Sequence, residues 1–461
     1  MSRPYTLAHP RAARCVASLG VALALTSTAS TLGAQTPAPV KLETYSLPNG
    51  LKVILAEDHA AQVAAVDVWY NVGSRNEVAG RTGFAHLFEH MMFQGSAHVK
   101  KSEHFQLVSR AGGQMNGSTA EDRTNYWEAL PSNRVNLGLW LEADRMRSLA
   151  VTDSNFHNQR EAVKEERRLR VDNQPYTRAI FEDQYGIADT TTCFPYAHSI
   201  IGSMTDLDAA KVEDVKAFFK TYYAPNNATL VVAGDFDASQ VKSLIAQYFG
   251  EIPRVADPAP VACNQPFGTG PKRHVVPDAK ATLPAIYTAY RVPAFDSPET
   301  PALTLLATIL GQGESSRLNR QLARANKSAI ATQVLYNPFG PRRGVGVFAV
   351  LAIANQGVGL DTLEKQAAAE VAKVAADGVT EEELAKAKNA YRAGVLDTRQ
   401  HALALAEAIH QADTFAGSPD AINTQFERFM KVTAADIKRA AATYLVPSNA
   451  LVLLITPEPA K

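Results

Sequence analysis

The stretch DVKAFFKTYYAPNNATLVVAG, residues 214–234, recurs as DIKRAAATYLVPSNALVLLIT, residues 436–456. Aligned without gaps at an offset of 222 residues, the two copies share an Asp, a Lys, a Thr-Tyr pair, a Pro and an Asn-Ala pair. Each copy has the pattern of a helix, a Pro-Asn turn and an apolar strand. This internal similarity indicates a duplicated domain; the alternative is chance similarity between two helix–turn–strand units.

A proline-rich stretch separates the two copies. Residues 252–284 contain seven prolines, and proline is excluded from central strands and helix interiors because it lacks an amide hydrogen. We therefore predict a linker over 254–279, in which RHVV, residues 273–276, forms an edge strand. The linker separates an N-terminal domain over 41–253 from a C-terminal domain over 280–459.

Strand patterns and helical patterns alternate in both halves. LKVILAED and VAAVDVWYNVGS are typical of strands, and SNFHNQREAVKEERRLR is typical of a long helix. The C-terminal half is predicted to contain two long helices over 360–376 and 380–412, the second with a capping box of Thr380 and Glu383. We expect an α+β fold of two homologous domains, each a mostly antiparallel sheet packed by helices.

The first residues have the pattern of a secretory signal peptide. Arg3, Arg11 and Arg14 precede an apolar run, residues 16–25, that is too short to span a bilayer. We predict a signal peptide over 1–34, and therefore a periplasmic or secreted protein without a membrane span.

Charge and cysteine content narrow the function classes further. The chain has 46 basic and 46 acidic residues, and this balance argues against a protein that coats nucleic acid or binds membranes through a polybasic surface.

Two cysteines follow the predicted signal peptide, Cys193 and Cys263. They can pair in an oxidising compartment, and the alternative is two free or buried thiols.

The segment GFAHLFEHMMFQGS contains the motif HLFEH, residues 86–90. Residues four apart share a helix face, so His86 and His90 point the same way, with Glu89 beside them. Two neutral imidazoles at this spacing can bind one Zn²⁺ at about 2.0–2.1 Å, and Glu89 is placed to act as general base toward a water. The HxxEH order is the signature of inverted-motif zinc enzymes. The alternative is a pair of core histidines on an amphipathic helix.

A catalytic zinc site needs a third protein ligand, and the helix SNFHNQREAVKEERRLR offers candidates. Its predicted apolar stripe contains Phe156, Val163 and Leu169, and Glu166 falls on that stripe. A carboxylate on a buried face is costly unless it is paired or binds a metal. Glu166 is therefore the candidate ligand and Glu165 the alternative, while a charged, solvated helix is the interpretation without function.

HLFEH, the EERR helix, GGQMNGST, the SSRL segment and the duplicated halves together resemble the pitrilysin/insulinase family of inverted-motif zinc peptidases. Within that family the chain resembles the two-domain bacterial branch, which is similar to mitochondrial processing peptidase. The resemblance implies His86, His90 and Glu166 as ligands of one Zn²⁺ per chain and Glu89 as the general base. It also implies that each chain forms half of a clamshell.

Family members bind their substrate as an added edge strand beside the site, and residues 112–127 match that region. The resemblance implies Asn116 and Thr119 as contacts to the substrate backbone; the alternative is a Gly-rich hairpin kept for its turn geometry. The family often has a glutamate two helical turns before the ligand glutamate. This chain has Gln159 there, which can hydrogen-bond near the metal without supplying a charge.

The family also uses an Arg/Tyr pair from the C-terminal half to hold the substrate carbonyl. Arg317 matches the Arg, with a surface or helix-capping cation as the alternative. Residues 331–332 are Ala-Thr where the family has Ala-Tyr, and Tyr336 is out of register. The resemblance therefore implies that a second chain completes the site. We expect a heterodimer with a homologous partner that lacks HxxEH, with a homodimer as the alternative.

The C-terminal half has no HxxEH, and its corresponding segment LTLLATILGQG is apolar, which predicts a domain without a metal site. We predict a zinc-dependent endopeptidase that hydrolyses peptides or unfolded polypeptides held in an enclosed cavity. The alternative function is a catalytically idle scaffold or assembly subunit of the same family.

Overall fold

The computed structural model describes residues 36–264 and 272–458, so the predicted signal peptide lies outside the described residues. Its strands are β1 (Glu43–Ser46), β2 (Lys52–Glu57), β3 (Val63–Tyr70), β4 (Gln114–Thr119), β5 (Thr124–Pro131), β6 (Ala228–Gly234), β7 (Lys272–Asp278), β8 (Ala285–Val292), β9 (Ala329–Tyr336), β10 (Gly346–Ala354) and β11 (Ala450–Pro457). Its α-helices are α1 (Phe84–Met91), α2 (Glu103–Arg110), α3 (Val135–Ser148), α4 (Asp153–Arg167), α5 (Thr177–Phe181), α6 (Met204–Ala209), α7 (Val212–Tyr222), α8 (Ala238–Phe249), α9 (Thr300–Gly311), α10 (Leu360–Asp377), α11 (Glu381–Gln400), α12 (Ala402–Ala416), α13 (Ala421–Met430) and α14 (Ala434–Tyr444). Two further segments, Arg168–Asp172 and Asn319–Ala325, are π-helical turns.

Apart from the additional strand β1, the strands of the first sheet follow the same order as the five strands of the second sheet. The first sheet has the order β1-β2-β6-β3-β5-β4, and the second has β7-β11-β8-β10-β9. Each contains one parallel pair, β2 with β6 or β7 with β11, and the other pairs of the described strands are antiparallel. The α+β prediction is confirmed. Strand β7, which contains RHVV, is an edge strand within the range assigned to the linker.

The repeated sequence forms repeated structure. Helices α7 and α14 start and end 222 residues apart, and the strands that follow them, β6 and β11, start 222 residues apart. Asn227 and Asn449 lie in the turns between them, and each side-chain amide donates to a tyrosine carbonyl oxygen at the helix end, at 2.8 Å. The predicted helix–turn–strand unit is therefore present in both halves.

Both faces of the first sheet are covered, and each face is covered by a different half of the chain. Leu230 and Val232 of β6 face the helices of the N-terminal half, whereas Val231 and Ala233 face the opposite way. Helix α12 of the C-terminal half packs on that second face. On the second sheet, α5 of the N-terminal half packs in the same manner through Ala179. A helix from each half therefore packs on the sheet of the other half.

The predicted continuous helix over 380–412 is wrong. It breaks at His401, whose backbone is extended (φ −121°, ψ 117°), and a separate helix, α12, begins at the next residue. The physical reason is the packing on the first sheet, because Leu405, Ile409 and Ala412 form a buried stripe against β2, β3 and β6. Tertiary packing therefore overrides the local helical pattern at this point.

Cys193 and Cys263 form a disulfide, which answers the question that the sequence left open. The bond attaches the loop before α6 to the proline-rich stretch that follows α8. A backbone hydrogen bond from Asn264 to the carbonyl oxygen of Thr192 supports the same contact, at 3.0 Å. Among the described residues, none of the helices combines the length and the apolar composition that a membrane crossing requires.

Candidate metal and peptidase site

Helix α1, which carries HLFEH, begins at a position where only glycine fits. Gly83 has a left-handed backbone (φ 86°), and a Cβ there would lie 2.8 Å from the carbonyl oxygen of Ile201. The buried carboxylate of Glu77 accepts hydrogen bonds from the backbone N–H groups of Gly83 and Ala85, at 2.8 and 2.7 Å. Because these N–H groups have no partner inside the helix, Glu77 acts as the cap of α1.

Helix α4 presents Glu166, and its apolar stripe differs from the predicted one. Phe156 and Val163 are buried as expected, but Leu169 is 56% exposed and Val171 is buried in its place. The cause is the π-helical turn after α4, because an extra residue per turn rotates the following side chains around the helix axis. Glu166 precedes this turn and keeps the predicted orientation toward α1.

The structure brings His86, His90 and Glu166 together. One carboxylate oxygen of Glu166, Oε2, lies 3.1 Å from Nε2 of His90 and 3.6 Å from Nε2 of His86. All three donor atoms lie within 4.8 Å of one another. Tetrahedral zinc with bonds of about 2.0–2.1 Å places its ligand atoms roughly 3.4 Å apart. The donor set therefore fits Zn²⁺, whereas Glu165 is exposed and pairs with Arg168 at 2.9 Å.

The charge states of these groups suit metal binding. Burial, together with the neighbouring His90, lowers the pKa of His86 to about 4. The hydrogen bond with His90 lowers the pKa of Glu166 to about 2. Burial has the largest effect on His90 and lowers its pKa, but the hydrogen bond to Glu166 and the negative charges of Glu89 and Glu166 together outweigh burial, so the net shift is upward. A neutral imidazole and an ionised carboxylate are the forms that bind metal.

Glu89 is held beside the three donor atoms by β4. The hydroxyl of Thr119 donates a hydrogen bond to Oε2 of Glu89 at 2.7 Å. Burial raises the pKa of Glu89, and the Thr119 bond opposes that rise. A carboxylate with a raised pKa is better matched to proton transfer near neutral pH, as a general base requires.

The site opens into a cavity of about 400 Å³. Strand β4 forms one wall through residues 116–119, and β4 is the last strand at its edge of the first sheet among the described residues. Asn116 is exposed on this wall, and its side-chain oxygen accepts the N–H of Gly117 at 2.9 Å. Asn116 and Thr119 therefore both reach the cavity, and the contact of Thr119 with Glu89 was not foreseen from the sequence.

Of the other predicted site residues, Gln159 lies beside the metal donors, whereas Arg317 and Tyr336 lie outside the cavity lining. Gln159 hydrogen-bonds with the His90 ring, and its amide donates to Asn158 at 2.8 Å. Arg317 does not line the cavity: its guanidinium donates to both carboxylate oxygens of Glu383, at 2.8 and 2.6 Å. Tyr336 also lies outside the cavity lining, and its hydroxyl is 3.5 Å from Thr300.

Sequence reasoning missed the aromatic wall of the cavity, which consists of Phe181, Tyr185 and Phe339. Phe339 belongs to the loop between β9 and β10, so the C-terminal half contributes directly to the cavity. The only signal in the sequence was the Pro- and Gly-rich segment NPFGPRRG. Such a segment indicates a turn but does not show where the turn points.

A second group of potential metal ligands lies apart from the cavity. His104, Glu128 and Glu142 are buried, and their donor atoms lie within 4.8 Å of one another. Arg145 already supplies the positive charge there, because its Nε donates to Glu142 at 2.9 Å. Burial and the Arg145 charge lower the pKa of His104 to about 3. We interpret this group as a buried ionic network that connects α2, α3 and β5.

The described residues of the C-terminal half hold no comparable cluster.

Two family profiles match the chain in sequence order. Residues 52–201 match the profile described as Insulinase (Peptidase family M16), and residues 209–391 match the one described as Peptidase M16 inactive domain.

Relatives match along nearly the full chain. The zinc protease PqqE of Helicobacter pylori is 30% identical over 423 residues, which cover 90% of this chain and 93% of the relative. The probable mitochondrial-processing peptidase subunit beta of Arabidopsis thaliana is 24% identical over 423 residues, covering 89% and 78%.

Solved structures share the fold. The crystal structure of a protease from Helicobacter pylori has a TM-score of 0.86 at 28% identity and covers 91% of this chain and 100% of its own. A peptidase M16 inactive domain from Pseudomonas fluorescens has a TM-score of 0.78 at 17% identity, covering 92% and 99%. The second likeness shows the fold alone.

Proposed function

Because the chain belongs to the insulinase family of zinc peptidases, peptidase family M16, we propose that it is a zinc-dependent endopeptidase. Its substrates are peptides or unfolded polypeptides. The observation that carries the proposal is the meeting of His86, His90 and Glu166 around one point, with Glu89 held alongside. A catalytically idle scaffold has no need for this arrangement.

Each residue of the site has a separate task. His86, His90 and Glu166 would hold one zinc ion, which would supply Lewis-acid chemistry toward the scissile carbonyl and the attacking water. The Glu89 carboxylate takes a proton from that water and returns it to the leaving amine. Thr119 orients this carboxylate, and Gln159 supports the His90 ring.

The substrate lies against β4 in an extended conformation. An edge strand presents unpaired backbone N–H and C=O groups, which bind any extended peptide with little sequence preference. Asn116 lies on this strand at the cavity wall. A folded protein cannot present an extended segment there, which favours peptides and unfolded chains as substrates.

The cavity is closed by a homologous partner chain, so that each chain forms half of a clamshell. We favour a heterodimer because residues 331–332 are Ala-Thr where the family has Ala-Tyr. A homodimer is the alternative. The relative from Arabidopsis thaliana is named as a subunit, which supports assembly with a partner. Measuring the size of the protein purified from its native host, and identifying the chain that co-elutes with it, distinguishes a heterodimer from a homodimer.

The mature chain acts in the periplasm or outside the cell. The disulfide between Cys193 and Cys263 supports this placement, because structural disulfides persist in oxidising compartments. Cell fractionation and N-terminal sequencing of the mature protein test it. Recovery from the cytosol with residues 1–34 intact would contradict export.

The variant Glu89→Gln tests the peptidase function. It removes the proton acceptor and keeps the three metal donors, so we expect bound zinc to remain near one per chain. Hydrolysis of an unfolded protein should fall by a factor on the order of 10²–10⁴. Glu161→Gln, an exposed position on α4, is the matched control and should retain activity. An inactive wild-type protein that binds no zinc would favour the scaffold alternative.

A further inference from the structure

Two carboxyl groups meet where α12 of the C-terminal half packs on the first sheet. Asp67 of β3 is fully buried, and Glu407 of α12 is half-buried. The side-chain amide of Asn125, on β5, donates to both of them. Its Nδ2 lies 2.8 Å from Oε1 of Glu407 and 3.2 Å from Oδ1 of Asp67. One amide group therefore connects carboxyl groups that come from the two halves of the chain.

The orientation of the Asn125 amide is set by its oxygen. Oδ1 accepts the hydroxyl of Ser118 at 2.7 Å and a guanidinium N–H of Arg123 at 3.0 Å. Because Arg123 can only donate, a flipped amide would bring two donors together there, so the NH₂ group must face the carboxyl groups. Ser118 belongs to β4 and lines the catalytic cavity. Asn125 therefore links the two carboxyl groups to the strand on which we place the peptide.

The imidazole beside the two carboxyl groups carries no charge. His410, three residues after Glu407 on α12, donates from Nε2 to the backbone carbonyl oxygen of Asp67 at 3.0 Å. Its ring stacks on Trp69, and its Nδ1 is buried without a partner. Burial lowers the pKa of His410 to about 3. His410 is therefore neutral near pH 7 and does not compensate a negative charge on Asp67.

The cations nearest to the two carboxyl groups are engaged elsewhere. Arg123, in the turn between β4 and β5, lies over the ring of Trp69, 5.0 Å from its centre, and donates to the side-chain oxygen of Ser118 at 2.6 Å. Lys52 of β2 pairs with Asp413 of α12. The local donors to Asp67 are neutral: the indole N–H of Trp69, at 3.1 Å, and the amide of Asn125.

Two ionised carboxylates at one buried amide would repel each other. Burial raises the pKa of Asp67, and the neighbouring charge of Glu407 raises it further. Burial also raises the pKa of Glu407, although Arg123 and Asn125 oppose that rise. A single proton held by the two groups removes the repulsion, and the two carboxyls then titrate as a pair.

We propose that Asp67 and Glu407 hold one proton between them, and that Glu407 is a positioning residue which the C-terminal half supplies to the peptide-binding strand β4. The protonated pair keeps α12, Asn125 and Ser118 in contact. Loss of the proton leaves two negative charges at one amide, so β4 is held less firmly. The shared proton is independent of the proposed peptidase function, whereas its effect on peptide binding rests on that function.

The shared proton makes the fold less stable as the pH rises. In the unfolded chain the two groups have their ordinary pKa values, 3.8 and 4.5. Above these values the unfolded chain has released a proton that the folded chain still holds. The stabilisation by this proton is therefore complete at low pH and is lost as the pH rises through the raised pKa of the folded pair. Within that window, each pH unit changes the unfolding equilibrium constant by up to about tenfold.

Denaturant unfolding of the zinc-loaded protein between pH 5 and pH 8 tests the shared proton. Glu407→Gln keeps an acceptor for Asn125 and lets Asp67 ionise without a like charge beside it. We expect the unfolding equilibrium constant of the wild type, relative to that of this variant, to rise about tenfold or more across the range. Asp67→Asn removes the other carboxyl group and should give the same change. Glu427→Gln, an exposed position on α13, is the matched control and should give a constant ratio.

Peptide binding tests the positioning of β4. The probe is reduced and alkylated α-lactalbumin, an unfolded protein, and the receptor is the zinc-loaded Glu89→Gln protein, which does not consume it. We expect Kd to rise between pH 5 and pH 8 by about fivefold or more beyond any rise seen when Glu407→Gln is added. Titration of the metal donors is common to both proteins and cancels in this comparison. Glu407→Ala, which offers Asn125 no acceptor, should bind weakly at both pH values.

Each part of the proposal has its own contrary result. Parallel unfolding profiles for the wild type and Glu407→Gln would overturn the shared proton. Parallel binding profiles beside diverging unfolding profiles would overturn the positioning role of Glu407. Absence of hydrolysis in the protein that keeps Glu89 would instead contradict the peptidase function, and the unfolding profiles would still decide the shared proton.

Discussion

Thr119 donates a 2.7 Å hydrogen bond to Glu89, so the strand that lines the cavity also fixes the proposed general base. A hydrogen bond to a charged group contributes about 1.5–3 kcal/mol, and each 1.4 kcal/mol is a factor of ten in rate. Thr119→Val should therefore lower kcat about ten- to hundredfold without loss of zinc. Thr119→Ser keeps the hydroxyl and should recover most of the rate. Equal kcat for Val and Ser would show that the bond does not position Glu89.

Glu77 connects the stability of α1 to metal binding. Its carboxylate is the hydrogen-bond acceptor for the N–H groups at the start of the helix, so Glu77→Ala leaves buried donors without partners. We expect a loss of about 1–3 kcal/mol in the free energy of unfolding and weaker zinc binding. Denaturant unfolding and zinc titration measure both. Glu213→Ala, in the exposed first turn of α7, is the control, and equal effects at both positions would contradict the capping role.

Glu121 and Arg342 couple the two halves through a buried ion pair. Removing one partner leaves the other charge uncompensated, so Glu121→Ala should destabilise the fold by roughly 3–5 kcal/mol. The double variant Glu121→Leu with Arg342→Met replaces both charges and should be more stable than the single variant. Chemical unfolding of the single and double variants measures the coupling. Additive losses would show that the pair contributes no interaction.

The pairing of Arg317 with Glu383 predicts a structural role for Arg317. Its hydrogen bond lowers the pKa of Glu383 to about 2, below the ordinary value of 4.5. A carboxylate whose pKa is lower in the folded state stabilises the fold above about pH 4.5, and this stabilisation is lost as the pH falls toward 2. Because the pair is partly exposed, Arg317→Ala should cost only about 1 kcal/mol at pH 7. The difference in Tm from the wild type should shrink between pH 5 and pH 2.5. A fall in kcat/KM with unchanged Tm would instead assign Arg317 to substrate binding.

Periodicity predicted those parts of the molecule that are set by local geometry. The spacing of His86 and His90 requires only one turn of helix, and the repeat of α7 with β6 is visible in the sequence at a fixed offset. The orientation of Glu166 followed from the helical spacing up to Arg167, where α4 ends.

The remaining features depend on tertiary contacts. The π-helical turn after α4 exchanged Leu169 for Val171 in the core, and no residue in that stretch marks it. The break at His401 reflects packing on the first sheet, and neither Gly nor Pro occurs between residues 395 and 416. Phe339 reaches the cavity through a loop whose direction is fixed by contacts more than two hundred residues away, with Glu121. Local patterns contain no information of this kind.

The most direct test of the central claim is the zinc content of Glu166→Gln measured beside that of Glu165→Gln. The two carboxylates are neighbours on one helix, but only Glu166 faces the histidines, while Glu165 is exposed and pairs with Arg168. We predict about one zinc ion per chain for the wild type and for Glu165→Gln, and a strong loss of zinc for Glu166→Gln with its fold intact. Full zinc occupancy in Glu166→Gln, or equal loss in both variants, would contradict the proposed metal centre.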